Sequence, residues 1–367
     1  MFKLIVHALL GRAGIVCNGP APWDPQINDE RFYRRVLLGG SIGLGESYVE
    51  GWWDCADIES FVDRLLRSGI TDMVPRFDKL RLLLSGLFAD RQDKVRGKRV
   101  AKEHYDQEPE FFMDVLGSTN SYTCARWNGA ANLDEAQTRK MDLICRKAHL
   151  RPSQRVLDIG CGWGGFLVHA TSLYGVSGIG LSISEKQIAF ARSKYHNLPI
   201  EFRLQDYRDF CGQVDAVVSI CMIEHVGAAH YREYFRMAYD ALRADGLFVL
   251  QCIFARSPKS VADAWLDKHI FPGGMLVTRE RIATAVQGLF HILDEEYFGA
   301  DYEKTLKAWY DNLAKNRGAV IAKYGLEHFR KYEYYFRMLI GAFRSGRITV
   351  GQLVLSPSPR SEYVPVR

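Results

Sequence analysis

No cysteine pair of the form CxxC occurs in this sequence, and its ten histidines are not clustered. Zinc sites built on the usual Cys/His spacings are thereby excluded. The eight cysteines, at positions 17, 55, 124, 145, 161, 211, 221 and 252, are too dispersed in a chain of 367 residues to suggest a disulfide framework. Long apolar runs are missing as well. The stretch from Phe2 to Leu10 stops at Gly11-Arg12, too short to span a bilayer, and no basic-then-apolar leader with a small-residue cleavage site is present. These absences give the expectation of a reduced, cytoplasmic protein. Charge of one sign is in excess only locally. Between Arg91 and Lys102 six basic residues stand against the single acid Asp93, a surplus equal to the chain's entire net charge of +5. Such a stretch is either a solvated linker or a segment drawn to anionic surfaces. Nothing else resembles a nucleic-acid module, so lipid is the expected anionic partner and nucleic acid is not.

What is present begins with an ordinary globular balance of 47% apolar and 25% charged residues. The length predicts two domains, or one with a large cap. Aromatics are plentiful, with 18 Tyr, 20 Phe and 7 Trp, which leaves two readings open: a well-filled core, or ring walls around an apolar or cationic ligand. Residues 1–90 read as helical, with apolar spacing of three and four and breaks at Gly39-Gly40 and Gly43-Leu44-Gly45. A helix is predicted over 133–148. From Arg155 the grammar becomes strand, turn, helix: strands over 155–159, 176–182, 200–205, 216–220 and 247–253, with helices over 166–173, 185–194 and 231–242 between them. Alternation at this spacing predicts an α/β fold, a Rossmann-like parallel sheet with helices on both faces, preceded by an N-terminal helical domain. Ligands in such sheets bind at the carboxyl ends of the strands. After residue 255 helices are expected over 302–314 and 326–343, and a last strand over 348–355.

The first of these strands runs into Gly160-Cys161-Gly162-Trp163-Gly164-Gly165. The pattern satisfies GxGxxG, so a nicotinamide cofactor has to be weighed. A dinucleotide site also needs an acid after the second strand, to bind the ribose hydroxyls. Here that strand ends Gly180-Leu181-Ser182-Ile183-Ser184, without one. Instead Asp158 stands directly before the turn, placed to order it or to contact the methionine end of a cofactor. Asp206 and Tyr207 follow the third strand, where a ring can stack on adenine and a carboxylate can bind it. This arrangement favours S-adenosylmethionine over NAD.

Further motifs recur along nearly the whole chain: Gly43-Leu44-Gly45-Glu46-Ser47-Tyr48 with Gly51-Trp52-Trp53, His104-Tyr105-Asp106, Tyr122-Thr123-Cys124, and Val156–Gly165. They continue with Gln205–Asp209, Glu224-His225-Val226-Gly227, Ile270–Gly274, Phe298–Tyr302 and Ala308-Trp309-Tyr310. In these the sequence resembles the cyclopropane fatty acid synthase family of S-adenosylmethionine-dependent methyltransferases. The resemblance implies methylene transfer to the cis double bond of an unsaturated phospholipid acyl chain, through a carbocation deprotonated by a bound bicarbonate. It implies that the anion is held at Cys124, Glu224, Gln251, Ile253 and Tyr310. It also implies that Tyr122, Thr123, Asp158, Gly160, Gly162, Ser182, Gln187, Asp206 and Tyr207 bind the cofactor; no metal is implied. The family's histidine is Gln251 in this sequence. Glutamine donates through its amide but neither carries charge nor titrates near neutrality. Ring formation therefore leads, and simple methyl transfer to another carbon or nitrogen acceptor stays open. The expected organisation is a lipid-associated helical domain over 1–90, a basic linker over 91–102 and a catalytic domain over 103–367, in a homodimer at the inner membrane face. The tyrosine-rich run Tyr332, Tyr334, Tyr335 and Phe336 is expected in a helical core, with a cation-binding wall as the rival reading.

Overall fold

The computed structural model describes residues 1–70, 109–257, 262–360 and 362–367. The basic stretch 91–102 and His104-Tyr105-Asp106 lie outside the described residues. In chain order the elements are α1 (Phe2–Arg12), β1 (Gln26–Ile27), α2 (Arg31–Val49), β2 (Trp53–Asp54), α3 (Ile58–Arg67), α4 (Pro109–Leu116) and α5 (Leu133–Lys147). The central run is β3 (Arg155–Ile159), α6 (Gly165–Tyr174), β4 (Ser177–Ser182), α7 (Glu185–Lys194), β5 (Ile200–Leu204), β6 (Val214–Ile220), α8 (Tyr231–Ala241) and β7 (Leu242–Ala255). Then follow α9 (Ala264–His269), α10 (Arg279–Val286), β8 (His291–Tyr297), α11 (Gly299–Lys315), α12 (Arg317–Tyr324), α13 (Leu326–Arg344) and β9 (Ile348–Ser356).

The chain forms two compact units, and a single cut does not separate them. The first comprises Met1–Ala89, Lys259–Pro272 and Tyr302–Ile348. Its helices α2 and α3 pack against α13, and α1 packs on α2. Arg337 of α13 forks onto Glu59 of α3 at 2.7 and 2.9 Å, and a Cβ on Gly341 would lie 2.5 Å from the Glu59 carbonyl oxygen. Within α2 the axis kinks at Gly40 (φ 52°), as the Gly39-Gly40 doublet predicts. Gly43-Leu44-Gly45, also expected to interrupt, stays helical. Gly45 is there for close approach, since a Cβ would fall 2.5 Å from the Trp265 ring. Tyr332, Tyr334, Tyr335 and Phe336 are fully buried, and Tyr334 stacks on Tyr48 with centroids 5.3 Å apart. The core reading of that cluster holds.

The second unit comprises Asp90–Pro258, Gly273–Asp301 and Thr349–Arg367. Its seven-stranded sheet has the order β5-β4-β3-β6-β7-β9-β8, with β3 to β7 parallel and β8 antiparallel to β9. Successive side chains alternate between two cores, as the pleat requires. Leu157, Ile159, Val217 and Phe248 enter one, while Val156, Ala216, Val218 and Val249 enter the other. Strand order reverses between β3 and β6. The carboxyl ends of these two strands therefore open a crevice, and Asp158, Gly160, Gly162 and Glu224 stand at or just beyond those ends.

Candidate active site

At the end of β3 the chain turns sharply back onto β4. The amides of Gly160 and Cys161 both donate to the Leu181 carbonyl, at 3.0 and 2.9 Å. Gly160 (φ 84°) and Gly162 (φ 53°) adopt left-handed backbone, which a side chain disfavours. A Cβ on Gly160 would strike Met222 at 2.8 Å, whereas one on Gly162 would meet nothing within 4 Å. The turn is thus packed on one side and open at Gly162. Asp158, just before it, is buried, and its Oδ1 has no hydrogen-bond partner. Burial pushes its pKa up to about 7, and the Lys140 ammonium works against that rise.

Residues 121–124 are suspended from α5. That helix starts at Asn132, whose side chain accepts from the Glu135 amide at 2.9 Å. One turn on, the Gln137 amide donates to the carbonyls of Ser121 (3.3 Å) and Thr123 (2.9 Å). Lys140 donates to Thr123 Oγ1 at 2.8 Å and to Gln137 Oε1 at 2.7 Å. The Tyr122 ring rests on Phe112, with centroids 5.1 Å apart. Gln137 and Lys140 are not among the residues singled out by sequence. The available signal was weak: two polar residues, three apart, on the helix stripe that also carries Leu133, Ala136, Met141 and Ile144.

Opposite lies a second polar cluster, on β6 and β7. Glu224, in a short turn after β6, accepts from the Ile253 amide through Oε1 at 2.7 Å, and its Oε2 has no partner. Burial raises the pKa of this carboxyl to about 7, partly offset by the Ile253 amide. Gln251 is wholly buried. Its Nε2 donates to the Cys124 carbonyl at 3.3 Å, and its Oε1 accepts from Gln352 Nε2 at 2.9 Å. The acceptor at Cys124 fixes which way the Gln251 amide points. Cys221, also in left-handed backbone (φ 53°), donates its amide to the Gln251 carbonyl at 2.7 Å. Gln251→Leu removes a donor from the Cys124 carbonyl and strands the Gln352 amide in a dry interior. Urea denaturation should show a loss of about 1–3 kcal/mol for the stranded amide.

The remaining predicted residues have defined places. Ser182 donates to Gln187 Oε1 at 2.9 Å, and Ser184 caps α7 through the Gln187 amide. Asp206 is clamped by its neighbour Arg208 at 2.7 and 2.9 Å. Tyr207 is buried in the core, edge-on to Tyr234 at 5.5 Å. His225 is half-buried, and desolvation lowers its pKa to about 4, so it is neutral at physiological pH. Tyr310 belongs to the first unit, where its hydroxyl donates to Glu333 Oε1 at 3.3 Å and Tyr48 donates to Oε2 of the same carboxylate at 2.8 Å. Among the described residues no group of three or more His, Cys, Asp or Glu is arranged to hold a metal ion, and no helix is long and apolar enough to cross a membrane.

A sheet reversing at β3 and β6, a glycine turn preceded by an acid and helices on both faces define a Rossmann-like class I methyltransferase fold. Solved structures agree. The cyclopropane synthase MmaA2 from Mycobacterium tuberculosis superposes with a TM-score of 0.67 and 28% identity, covering 71% of this chain and 98% of that one. The mycolic acid cyclopropane synthase CmaA1 complexed with SAH and CTAB gives 0.67 and 29% over the same shares. The mycolic acid cyclopropane synthetase family matches residues 92–353, and the chain belongs to it. The cyclopropane-fatty-acyl-phospholipid synthase of Escherichia coli (strain K12) is 40% identical over 354 residues, 96% of this chain and 92% of that protein.

Proposed function

We propose that this protein transfers a methylene group from S-adenosylmethionine to the cis double bond of an unsaturated phospholipid acyl chain at a membrane surface, closing a cyclopropane ring. The observation that carries the reading is the 40% identity to the Escherichia coli synthase across 96% of the chain. The crevice fits the cofactor: Asp158 Oδ1 is a buried acceptor without a partner, and the backbone at Gly162 is open to close approach. Asp158 and the glycine turn would hold it, with Ser182, Gln187 and the segment 121–124 around them. Bound there, S-adenosylmethionine supplies a methyl group on a sulfonium centre. What the protein adds is orientation and a place for one proton.

Closing the ring breaks a C–H bond of the transferred methyl; its electron pair forms the second ring bond, and the proton needs an acceptor. The residues do not fit a bound bicarbonate as they stand. The Ile253 amide donates to Glu224 and Gln251 Nε2 to the Cys124 carbonyl, while Gln251 Oε1 accepts from Gln352, so these two donors implied for the anion already have protein acceptors. Glu224 itself keeps Oε2 unpartnered, and its pKa of about 7 suits a general base. We therefore assign the proton to Glu224 Oε2. The rate should not depend on added bicarbonate, and a rate that climbs with it would overturn this assignment.

Incubation with S-adenosylmethionine and unsaturated phospholipid vesicles tests the whole reading. Acyl chains heavier by one CH2 and without the double bond are expected; unchanged lipid beside intact binding of S-adenosylhomocysteine refutes it. A heavier chain that keeps its double bond would instead support methyl transfer without ring closure, the reading that Gln251 keeps in view. The six basic residues between Arg91 and Lys102 support vesicle attachment that weakens as salt is raised.

A further inference from the structure

Lys140 is 1% exposed, yet its ammonium is hydrogen-bonded to two neutral oxygens, Thr123 Oγ1 at 2.8 Å and Gln137 Oε1 at 2.7 Å. Burying an ammonium costs several kcal/mol unless compensated, and a neutral oxygen compensates less than a carboxylate. A methionine fills a similar volume without that cost. A purely space-filling role therefore leaves the charge unexplained.

Two features of the crevice account for it. The segment 121–124 is held to α5 by the Lys140–Gln137 pair on one side, and on the other the Cys124 carbonyl accepts from Gln251. The ammonium also acts on Asp158, whose Oδ1 lacks a partner; it draws that carboxyl toward its ionised form against the effect of burial. One buried cation thus reaches both the segment beside the glycine turn and the acid before it.

We propose that Lys140 is a positioning residue for the cofactor: through Thr123 and Gln137 it holds the segment 121–124 in place beside the glycine turn. This rests on the reading that S-adenosylmethionine binds at that turn, but not on the identity of the methyl acceptor. Lys140 touches no reacting atom in this scheme.

The test is calorimetric titration of the full chain with S-adenosylhomocysteine, without lipid. Lys140→Met should weaken binding by about tenfold to a hundredfold, the scale of a hydrogen bond to a charged group. In the vesicle assay its KM for S-adenosylmethionine should rise by the same factor while KM for phospholipid is unchanged. Simple loss of folded protein would lower kcat and leave both KM values alone. Thr123→Val should also weaken binding, and the double variant should be no more than about twofold worse than Lys140→Met, because the two residues act as one unit. Wild-type affinity in Lys140→Met, or an additive cycle, overturns the proposal. Should Lys140→Met fail to fold, Thr123→Ser against Thr123→Val decides: serine keeps the acceptor and should bind like wild type, and equal affinity in the two variants overturns it. Vesicle lipid left unmodified by a protein that still binds S-adenosylhomocysteine would refute only the acceptor reading.

Discussion

Replacing Glu224 by glutamine should lower turnover on unsaturated phospholipid by about a hundredfold to ten-thousandfold, the range associated with loss of a general base. Affinity for S-adenosylhomocysteine should change by less than about twofold. Glutamine keeps an oxygen for the Ile253 amide, so the local frame survives and only proton acceptance is lost. The pH dependence has a definite sign. Burial raises the Glu224 pKa to about 7, and the base works as the carboxylate, so kcat/KM should climb as pH rises through about 7 and then level off. In the glutamine variant that limb should vanish. Stability should move the other way. A carboxyl whose folded-state pKa is raised stabilises the protein when protonated, and that contribution is lost as pH rises through about 7. The melting temperature of the wild type should therefore fall over the interval in which activity grows, and Glu224→Gln should flatten the decline. A full-rate variant would show that the proton goes elsewhere.

Asp158→Asn should weaken S-adenosylhomocysteine binding by about tenfold to a hundredfold, as expected for losing a charge-assisted hydrogen bond in a dry site. The same change relieves the fold of a buried carboxyl without a partner on Oδ1, so the melting temperature at pH 7 and above should hold or rise. Lower affinity with undiminished stability separates a ligand-holding acid from a structural one. Wild-type binding should tighten as pH rises through about 7, where Asp158 ionises, and the asparagine variant should lose that dependence. Calorimetry at several pH values reads both effects. A variant that binds as wild type would remove Asp158 from the site.

The central sheet was legible because its determinants are local. Apolar strands of five to seven residues, separated by capped helices and glycine turns, leave one economical arrangement, and the structure has strands at all five predicted places. Bounds differ where a neighbour extends an element: β7 begins at Leu242 rather than 247 because its early residues pair with Val214 of β6. The glycine turn was legible for the same reason, since Asp158 and the glycines are contiguous. Glu224 and Ile253 were reached through family resemblance. Their hydrogen bond joins residues 29 positions apart, and no spacing rule predicts it.

What the sequence by itself determined is the class of sheet, the glycine turn, the acid before it and the family. These follow from short-range periodicity and from motifs a few residues long. Tertiary structure alone decided how those parts are held. It recruited residues 259–272 and 302–348 to the N-terminal helices, because α2 and α3 need the apolar face of α13 to bury their own. It sent Tyr332, Tyr334, Tyr335 and Phe336 to a core and turned Tyr207 inward onto Tyr234. It also made supports of Lys140, Gln137 and Gln352, ordinary polar residues in sequence. A hydrogen bond from Gln352 to Gln251 spans 101 residues, and only folding brings such partners within reach and dries the space between them enough to make their loss costly.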